Sequence, residues 1–325
     1  MTGGNKIKLV QIIADSKIGG GPNHVLGILR NIDKNRFDCY LVCPSGYLSE
    51  EAGRINQVTV VNIPMKSKFD FASIFKLKNE LSEIQASRDP FGPMIVHSHG
   101  PRGSLMAYLA TPVGAKSVYT EHIYGEGYRL QNPINGWIQK SLLRKQNSKR
   151  DLVIAVSQSV KSFLLLSGIA SKEQVKVIPN GIYLDNLKFK IQNLKSNGKS
   201  APIIGSIGSL NRTKGHEYLI AAVAELKKKY PLISLEIIGD GPEKEKLLSK
   251  IKELNLEHNV TLLGGKKDIY KYLKHWKAFI LPSISETFGI VVLEAMSAGV
   301  PVVASKVGGI KDIITNQKNG ILVEP

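Results

Sequence analysis

The feature that most constrains the fold of this chain is a regular alternation of short apolar runs with amphipathic segments. Residues 6–14, Phe37–Cys43 and Ala278–Leu281 are apolar runs of this kind, each short enough to form one buried strand. Strands that alternate with helices pair in parallel, and the helices cover both faces of the sheet. The pattern therefore predicts an α/β fold, and a length of 325 residues predicts two doubly wound domains.

A polar stretch divides the chain. Residues 186–200 end in NLKSNGKS and have the composition of a linker. The predicted domains are therefore residues 1–185 and residues 201–325, both Rossmann-like.

Cysteine content and hydropathy predict the compartment. The two cysteines, Cys39 and Cys43, lie in one predicted strand. Four residues of strand span roughly 13 Å, which is too far for a disulfide. We therefore expect buried thiols in a cytoplasmic protein, without Cys/His spacing for zinc and without an apolar run long enough to cross a membrane.

The positive charge is concentrated in the first domain. Residues 1–200 carry 27 Lys+Arg against 14 Asp+Glu (+13), and the remainder carries 17 against 13 (+4). A predicted basic helix over residues 137–150, with Trp137 among its apolar residues, can lie on an anionic membrane surface at the inner face. The alternatives are phosphorylated acceptors, or solubility alone with the helix packed on its own domain. No basic motif interleaved with aromatic residues indicates nucleic-acid binding.

Residues 281–301, LPSISETFGIVVLEAMSAGVP, predict a strand, a loop and a helix that ends near Gly299. Glu286 lies on the loop, and Glu294 lies inside the helix. The backbone N–H groups at the start of the helix have no partners within it. Such a helix start, flanked by carboxylates, can bind phosphate on its amides and hydroxyl groups on its carboxylates.

The combination ETFGIVVLEAMSAGVPVVAS resembles the family 4 glycosyltransferases, which are retaining enzymes of the GT-B fold. The resemblance is strongest over residues 200–325. It implies two Rossmann-like domains that face a cleft, a nucleotide diphosphate sugar as the donor, and no further cofactor. Family members usually continue with further helices at this point. The resemblance therefore implies that the second domain, as far as Pro325, lacks the usual final helices.

The resemblance assigns the donor site to the second domain. Lys214-Gly215 matches the family's Lys-Gly, whose cation binds the donor diphosphate, while Ser209 replaces the family's arginine. Arg212 and Lys214 both precede a predicted helix that begins after Gly215, and Arg212 is a second candidate cation. The remaining assignments are Glu286 and Lys214 as catalytic residues, Phe288, Gly289 and Ile290 at the diphosphate, Glu294 at the ribose, and Gly264, Gly265 and Lys266 near the base.

The acceptor side is assigned to the first domain. The glycine loop after the first strand matches a family loop that touches donor phosphate or acceptor: Gly19 is assigned to the acceptor side, Gly20 and Gly21 to the donor diphosphate. His99, at the end of a predicted strand, matches a catalytic histidine next to the transferred sugar. His122, in Thr120-Glu121-His122, is expected to contact the acceptor.

These residues predict transfer of a sugar from a nucleotide diphosphate sugar to a carbohydrate or lipid-linked acceptor, with retention of anomeric configuration, in glycolipid, envelope polysaccharide or glycoconjugate synthesis. No Asp-x-Asp motif occurs, so no metal is expected at the diphosphate. The resemblance implies that the base is contacted mostly by backbone and that few side chains contact the sugar, so the base, the sugar and the acceptor stay open. The alternatives are an inactive nucleotide-sugar-binding protein, or a GT-B sugar phosphorylase or epimerase. A Rossmann oxidoreductase is disfavoured because GGGPNHVLG lacks the GxGxxG spacing.

Overall fold

The computed structural model describes residues 6–67, 70–87, 89, 92–123, 133–182 and 202–325, without the side chains of 133–139. Contacts divide the chain into two compact units, the first with the described residues up to 180 and the second with those from 181 to 325. The predicted linker over 186–200, the glycine- and tyrosine-containing segment over 124–132 and the side chain of Trp137 lie outside the described residues.

The first unit is built on seven parallel strands in the order β3-β2-β1-β4-β5-β6-β7. The strands are β1 (Ile7–Ile13), β2 (Phe37–Cys43), β3 (Val58–Asn62), β4 (Met94–His99), β5 (Lys116–Glu121), β6 (Leu152–Ala155) and β7 (Val175–Val177). The helices are α1 (Gly20–Asn31), α2 (Tyr47–Gly53), α3 (Phe71–Ala86), α4 (Gly100–Ala110), α5 (Pro133–Asn147) and α6 (Gln158–Leu166).

The second unit is built on six parallel strands in the order β10-β9-β8-β11-β12-β13. The strands are β8 (Ile203–Ile207), β9 (Ser234–Ile238), β10 (Val260–Gly264), β11 (Ala278–Leu281), β12 (Val302–Ser305) and β13 (Ile321–Val323). The helices are α7 (His216–Lys229), α8 (Lys244–Glu253), α9 (Tyr270–Leu273), α10 (Ile290–Ser297) and α11 (Ile310–Ile313). The predicted fold of two doubly wound parallel-sheet domains is confirmed.

Each sheet is buried on both faces because successive strand residues point to opposite sides. In β1, Ile12 packs with Leu77 and Leu81 of α3, whereas the next residue, Ile13, packs with Leu29 of α1. Burying one such side chain contributes about 1.5–3 kcal/mol. The continuous apolar runs of the sequence follow from this two-sided burial. Cys39 and Cys43 are buried free thiols, as predicted.

Close packing explains a glycine inside strand β8. A Cβ atom at Gly205 would lie 2.0 Å from the ring of Trp276. That indole is 2% exposed and donates a hydrogen bond from Nε1 to Glu236 Oε2 at 2.7 Å. Only glycine leaves room for the indole against the strand.

Not every apolar residue of these helices faces the core. Phe75 of α3 is 67% exposed, and Tyr218 and Leu226 of α7 are 58% and 40% exposed. The buried side of α7 includes His216, Ile220 and Val223. Apolar residues next to a buried stripe can face solvent, so periodicity alone overestimates its width.

Arg150 does not belong to the exposed basic side of α5. It lies after the helix, is 4% exposed, and donates hydrogen bonds to Ser117 Oγ at 2.5 Å and to the carbonyl oxygen of Ser104 at 2.6 Å. Burial lowers its pKa to about 10. This cation stabilises the unit internally, whereas Arg144 and Lys145 are exposed on α5.

No helix among the described residues is both long enough and apolar enough to cross a membrane.

The strand orders define where ligands bind in such folds. In each sheet the order in which strands are added reverses at one point. This point lies between β1 and β4 in the first unit and between β8 and β11 in the second. The loops after these strands diverge to opposite faces and leave a crevice at the carboxyl edge, where doubly wound folds bind their ligands. We call these two places the first and second switch points.

Candidate functional site

At the second switch point, the loops that follow β8 and β11 contact each other through their backbones. The carbonyl oxygen of Thr213 accepts hydrogen bonds from the N–H groups of Ile284 at 2.8 Å and Ser285 at 3.3 Å. Gly215 has a φ of +66°, and a Cβ atom there would lie 2.0 Å from the carbonyl oxygen of Pro282. Only glycine permits this approach, which aligns the start of α7 with the loop carrying Glu286.

An ion pair joins the two loops. Lys214 Nζ donates a hydrogen bond to Glu286 Oε2, and the two side chains are 20% and 10% exposed. An ammonium group has three N–H donors, so this contact leaves two for a further anion. The sequence assigned both residues to one site, and the structure brings them together.

The backbone of Glu286 is fixed from the β12 side. Its carbonyl oxygen accepts a hydrogen bond from Gly309 N at 3.2 Å. Gly308 has a φ of +48°, and a Cβ atom there would lie 1.6 Å from that same oxygen. The Gly308-Gly309 pair therefore allows the loop after β12 to support Glu286, a role that the sequence analysis did not assign.

Helix α10 begins directly beside this ion pair. Its N-cap, Gly289, has a φ of +93°, and the first-turn N–H groups that follow have no carbonyl four residues back within the helix. The Phe288 side chain is 4% exposed and packs inward, so Phe288 can offer a ligand only its backbone. The partial positive charge of the helix start favours an anion here.

Glu294 lies one turn into α10. Burial raises the pKa of its carboxyl to about 7. A carboxylate that has lost water in this way gains most from hydroxyl groups that donate hydrogen bonds to it.

The loops after β9 and β10 lie along the same edge. Gly239 N donates to the carbonyl oxygen of Gly264 at 3.1 Å, and a Cβ atom at Gly239 would lie 1.8 Å from the carbonyl oxygen of Gly208. Gly264 is therefore close to the loop that leads to Lys214. Lys266 Nζ lies 5.9 Å from the ring centre of Tyr272, while Gly265 is exposed. Base contacts by Gly264, Gly265 and Lys266 stay a prediction.

Arg212 and Ser209 differ from the ion-paired lysine. Arg212 is exposed, and its charge acts on Glu217, whose pKa is lowered chiefly by a hydrogen bond from Lys246. Ser209 Oγ accepts a hydrogen bond from Asn211 Nδ2 at 2.8 Å. A network of neutral side chains thus occupies the position where the family places an arginine. The role of Arg212 at the diphosphate stays a prediction.

Sequence reasoning missed His216, the first residue of α7. It is 2% exposed, and neither ring nitrogen makes a well-formed hydrogen bond to a residue that the structure describes. Nε2 would lie 3.6 Å from a Cβ atom at Gly208, and burial lowers the ring's pKa to about 4 although the backbone of Gly208 opposes that shift. The buried ring thus lies beside Gly208 and Lys214, where it can support the loop that carries Lys214. Its position directly after Lys214-Gly215 was the available signal.

At the first switch point, three histidines from three elements converge. His24 lies on α1, His99 ends β4 and His122 follows β5. His99 Nδ1 lies 3.2 Å from His122 Nε2, and the His24 ring centre lies 5.5 Å and 4.8 Å from those of His99 and His122. We call these residues the histidine cluster. The structure thus brings together the two predicted histidines and adds His24, which sequence reasoning missed.

Gln11 of β1, also missed, fixes the orientation of His99. Its Oε1 lies 2.6 Å from His99 Nε2, and because an amide oxygen can only accept, Nε2 carries the proton and Nδ1 carries the lone pair. His97 Nε2 instead forms a hydrogen bond with Thr120 Oγ1 at 2.7 Å.

The rings of the histidine cluster are neutral at pH 7. Burial lowers the pKa of His24 to about 4 and holds the pKa values of His99 and His122 well below the usual range. His99 is 1% exposed, whereas His24 and His122 are half-buried.

The predicted glycine loop begins α1. Gly19 is its N-cap, with an extended backbone, and Gly20 and Gly21 are its first two residues. A Cβ atom at Gly21 would make only an ordinary contact of 3.6 Å with Ile13 Cδ1. Neither unusual dihedrals nor crowding requires glycine at 19 or 21, so their assigned contacts with a ligand stay a prediction.

Two family models cover almost the whole chain. Residues 18–186 match the model described as Glycosyltransferase Family 4, and residues 188–325 match the model described as Glycosyl transferases group 1. The first match alone spans more than half of the chain. The chain belongs to glycosyltransferase family 4.

Curated relatives of this family 4 chain include two named transferases. It is 32% identical over 226 residues to the N-acetylgalactosamine-N,N'-diacetylbacillosaminyl-diphospho-undecaprenol 4-alpha-N-acetylgalactosaminyltransferase of Campylobacter jejuni, covering 69% of this chain and 60% of the relative. It is 30% identical over 241 residues to the sulfoquinovosyl transferase SQD2 of Arabidopsis thaliana, covering 71% of this chain and 46% of the relative. The matches thus span about half the length of these relatives.

Solved structures confirm the GT-B architecture. The crystal structure of Anabaena Alr3699/HepE in complex with UDP and glucose matches with a TM-score of 0.78 and 21% identity, over 98% of this chain and 86% of that one. At this identity the likeness establishes the fold.

Proposed function

We propose that this chain transfers a sugar from a nucleotide diphosphate sugar to an acceptor with retention of anomeric configuration. The observation that carries the proposal is the Lys214–Glu286 ion pair at the second switch point, beside the start of α10. A cation, first-turn amides and two carboxylates are there fixed on rigid elements. Together they suit a ligand with a diphosphate at one end and hydroxyl groups on either side.

The diphosphate is the leaving group, and its charge grows as the bond to the sugar breaks. Lys214 and the N–H groups after Glu286 bind that charge, with Arg212 as a second cation from the exposed turn. Groups that are already oriented stabilise developing charge without reorganising, and one such donor is worth about 10²–10³ in turnover. With the donors at the start of α10, these groups stabilise the leaving group, and we propose that the reaction proceeds without a metal at the diphosphate.

The two glutamates bind hydroxyl groups. Burial raises the pKa of the Glu294 carboxyl to about 7. Hydrogen bonds donated by the ribose hydroxyl groups then stabilise its ionised form. Glu286 is oriented by Lys214 and accepts from the transferred sugar, positioning its anomeric carbon. Since the carboxylate of Glu286 is already paired, we propose front-face departure and attack assisted by the leaving phosphate, which retains configuration.

The first unit provides the acceptor side. His122 carries a neutral, partly exposed imidazole suited to hydrogen bonds with acceptor hydroxyl groups at pH 7, and the buried His99 orients it through the 3.2 Å contact between their rings. The excess of +13 over residues 1–200 favours a lipid-linked acceptor at an anionic membrane surface. The name of the Campylobacter jejuni relative describes a diphospho-undecaprenol acceptor for that protein.

Vesicle sedimentation tests the membrane part. Binding to anionic vesicles at low salt, lost at high salt and absent on zwitterionic vesicles, is expected. Equal binding to both vesicle types would contradict it.

A turnover assay tests the enzymatic part. The purified protein is incubated with UDP- and GDP-linked sugars, with and without a lipid-linked oligosaccharide acceptor, and nucleotide release is measured. Acceptor-dependent release supports transfer, and NMR of the product must show the anomeric configuration of the donor. An inverted linkage would contradict retention.

The neutral Ser209 network favours one alternative, a protein that binds nucleotide sugars without turnover. Tight donor binding without nucleotide release under all conditions would establish it. Turnover without a separate carbohydrate acceptor would instead support a GT-B phosphorylase or epimerase.

A further inference from the structure

We propose that the histidine cluster of the first unit, His24, His99 and His122, binds a divalent transition-metal ion of the zinc class. One ring nitrogen of each residue lies within 4.8 Å of one ring nitrogen of each of the other two. The residues are far apart in the sequence, so no ligand spacing announces them. The sheet brings them together at the first switch point.

The distances suit such an ion. Zinc binds imidazole nitrogen at about 2.0–2.1 Å, so two tetrahedral ligands are separated by about 3.3–3.4 Å. The separation between His99 Nδ1 and His122 Nε2 is 3.2 Å. A metal ion can therefore replace the proton that these two nitrogens share, after small ring movements.

The tautomers also suit it. Gln11 Oε1 accepts a hydrogen bond from the Nε2–H group of His99 at 2.6 Å, which leaves the Nδ1 lone pair directed at His122. Metal-binding histidines generally donate their other N–H to an oxygen in this way, which fixes the ring and raises its basicity. His122 reaches the binding form by moving its proton from Nε2 to Nδ1, with no change of net charge.

His24 has an unsatisfied nitrogen. Its Nε2 is buried and makes no hydrogen bond to the described residues, although its ring lies edge-on to both partners. A buried polar atom without a partner is costly unless a ligand satisfies it. A metal ion would supply that partner.

Three histidines leave one coordination position open. Three protein nitrogens plus a water or an anionic oxygen is the arrangement of zinc sites that exchange their fourth ligand, and imidazole favours zinc, copper and nickel over magnesium or calcium. All three ligands belong to the first unit. The inference does not depend on sugar transfer.

Titration of the untagged, metal-free protein with Co²⁺ tests the site. We expect one Co²⁺ per chain, with visible d–d absorption of four-coordinate intensity that excess Zn²⁺ removes. The variants His24→Asn and His122→Asn should each weaken binding by more than about 100-fold, since they remove a ligand. The control His258→Gln, which changes an exposed histidine of the second unit, should bind as the wild type does.

Gln11→Ala gives a second test that keeps all three ligands. It should weaken Co²⁺ binding by about 10–100-fold, the usual effect of removing the oxygen that orients a ligating histidine. Wild-type protein without a stoichiometric d–d signal would overturn the proposal, whatever the stability of the variants. A signal that persists in both folded histidine variants would overturn it as well.

Discussion

The two switch points share a topology and differ in their electrostatics. The second holds an ion pair, Lys214–Glu286, together with the start of α10, whereas the first holds three neutral imidazoles and an amide. A charged site can stabilise the charge of a diphosphate as it develops, while a neutral site can exchange hydrogen bonds with hydroxyl groups. The same fold thus supplies a charged and a neutral site through different residues on equivalent loops.

Loss of the Lys214 charge should have the largest effect. We expect Lys214→Ala to reduce kcat by about 10²–10³, because it removes a preorganised donor to the leaving group. Steady-state kinetics of nucleotide release measures this. Lys246→Ala is the matched control, since Lys246 pairs with Glu217 on the exposed surface of the same unit and should leave kcat unchanged. Equal effects of the two substitutions would contradict a special role for Lys214.

Glu294 should make the stability of the unliganded protein depend on pH. Its carboxyl has a pKa of about 7 in the folded state against 4.5 normally, so the folded state binds the proton more tightly. Its contribution to the free energy of unfolding, about 3 kcal/mol, is therefore fully present below pH 4.5 and is lost as the pH rises through 7.

The substitution Glu294→Gln should remove this loss. The free energy of unfolding of the wild type should fall between pH 5 and pH 8 by more than that of the variant. The variant should also bind nucleotide more weakly. Denaturant unfolding at both pH values checks the first point. Parallel pH dependences in the two proteins would show that Glu294 is not the group responsible.

A methyl group at Gly308 should disturb the support of Glu286. Gly308→Ala forces a Cβ atom against the Glu286 carbonyl oxygen at a positive φ, and we expect a loss of about 1–3 kcal/mol in stability together with weaker donor binding. Gly53→Ala is the control, because a Cβ atom at the end of α2 meets nothing within 4 Å. Thermal unfolding measures both. A Gly308 variant as stable as the Gly53 variant would contradict the predicted clash.

Arg212 should contribute least among these residues. Its side chain is exposed beside Glu217, so we expect Arg212→Ala to lower kcat/KM by less than about tenfold. A loss as large as that of Lys214→Ala would mean that Arg212 moves to the diphosphate when the donor binds.

The sequence predicted the fold well because buried parallel strands are continuous apolar runs. The strands Phe37–Cys43 and Ala278–Leu281 have the predicted bounds, and the strand predicted over residues 6–14 extends from Ile7 to Ile13. Short helices such as α2 and α9 were not assigned, since one or two turns hold too few residues to show a period.

The motif-bearing part of the site was also predictable. Lys214, Glu286 and Glu294 lie where local sequence placed them, on the loops and helix at one switch point. By contrast, Gln11, His24 and Gly308 act through neighbours far along the chain, and only the sheet order brings them there. His216 escaped notice because a histidine at a helix start resembles an ordinary buried residue until its unsatisfied nitrogens are seen.

The measurement that tests the central claim most directly is a thermal-shift screen of nucleotide diphosphate sugars on the wild type and Lys214→Ala. A donor that binds the folded state stabilises it by about 2.7 kcal/mol at a hundredfold excess over Kd. We predict that at least one donor raises the Tm of the wild type and that Lys214→Ala loses that shift while staying folded. The absence of any shift in the wild type, or an equal shift in both proteins, would contradict the assignment of the donor to the second switch point.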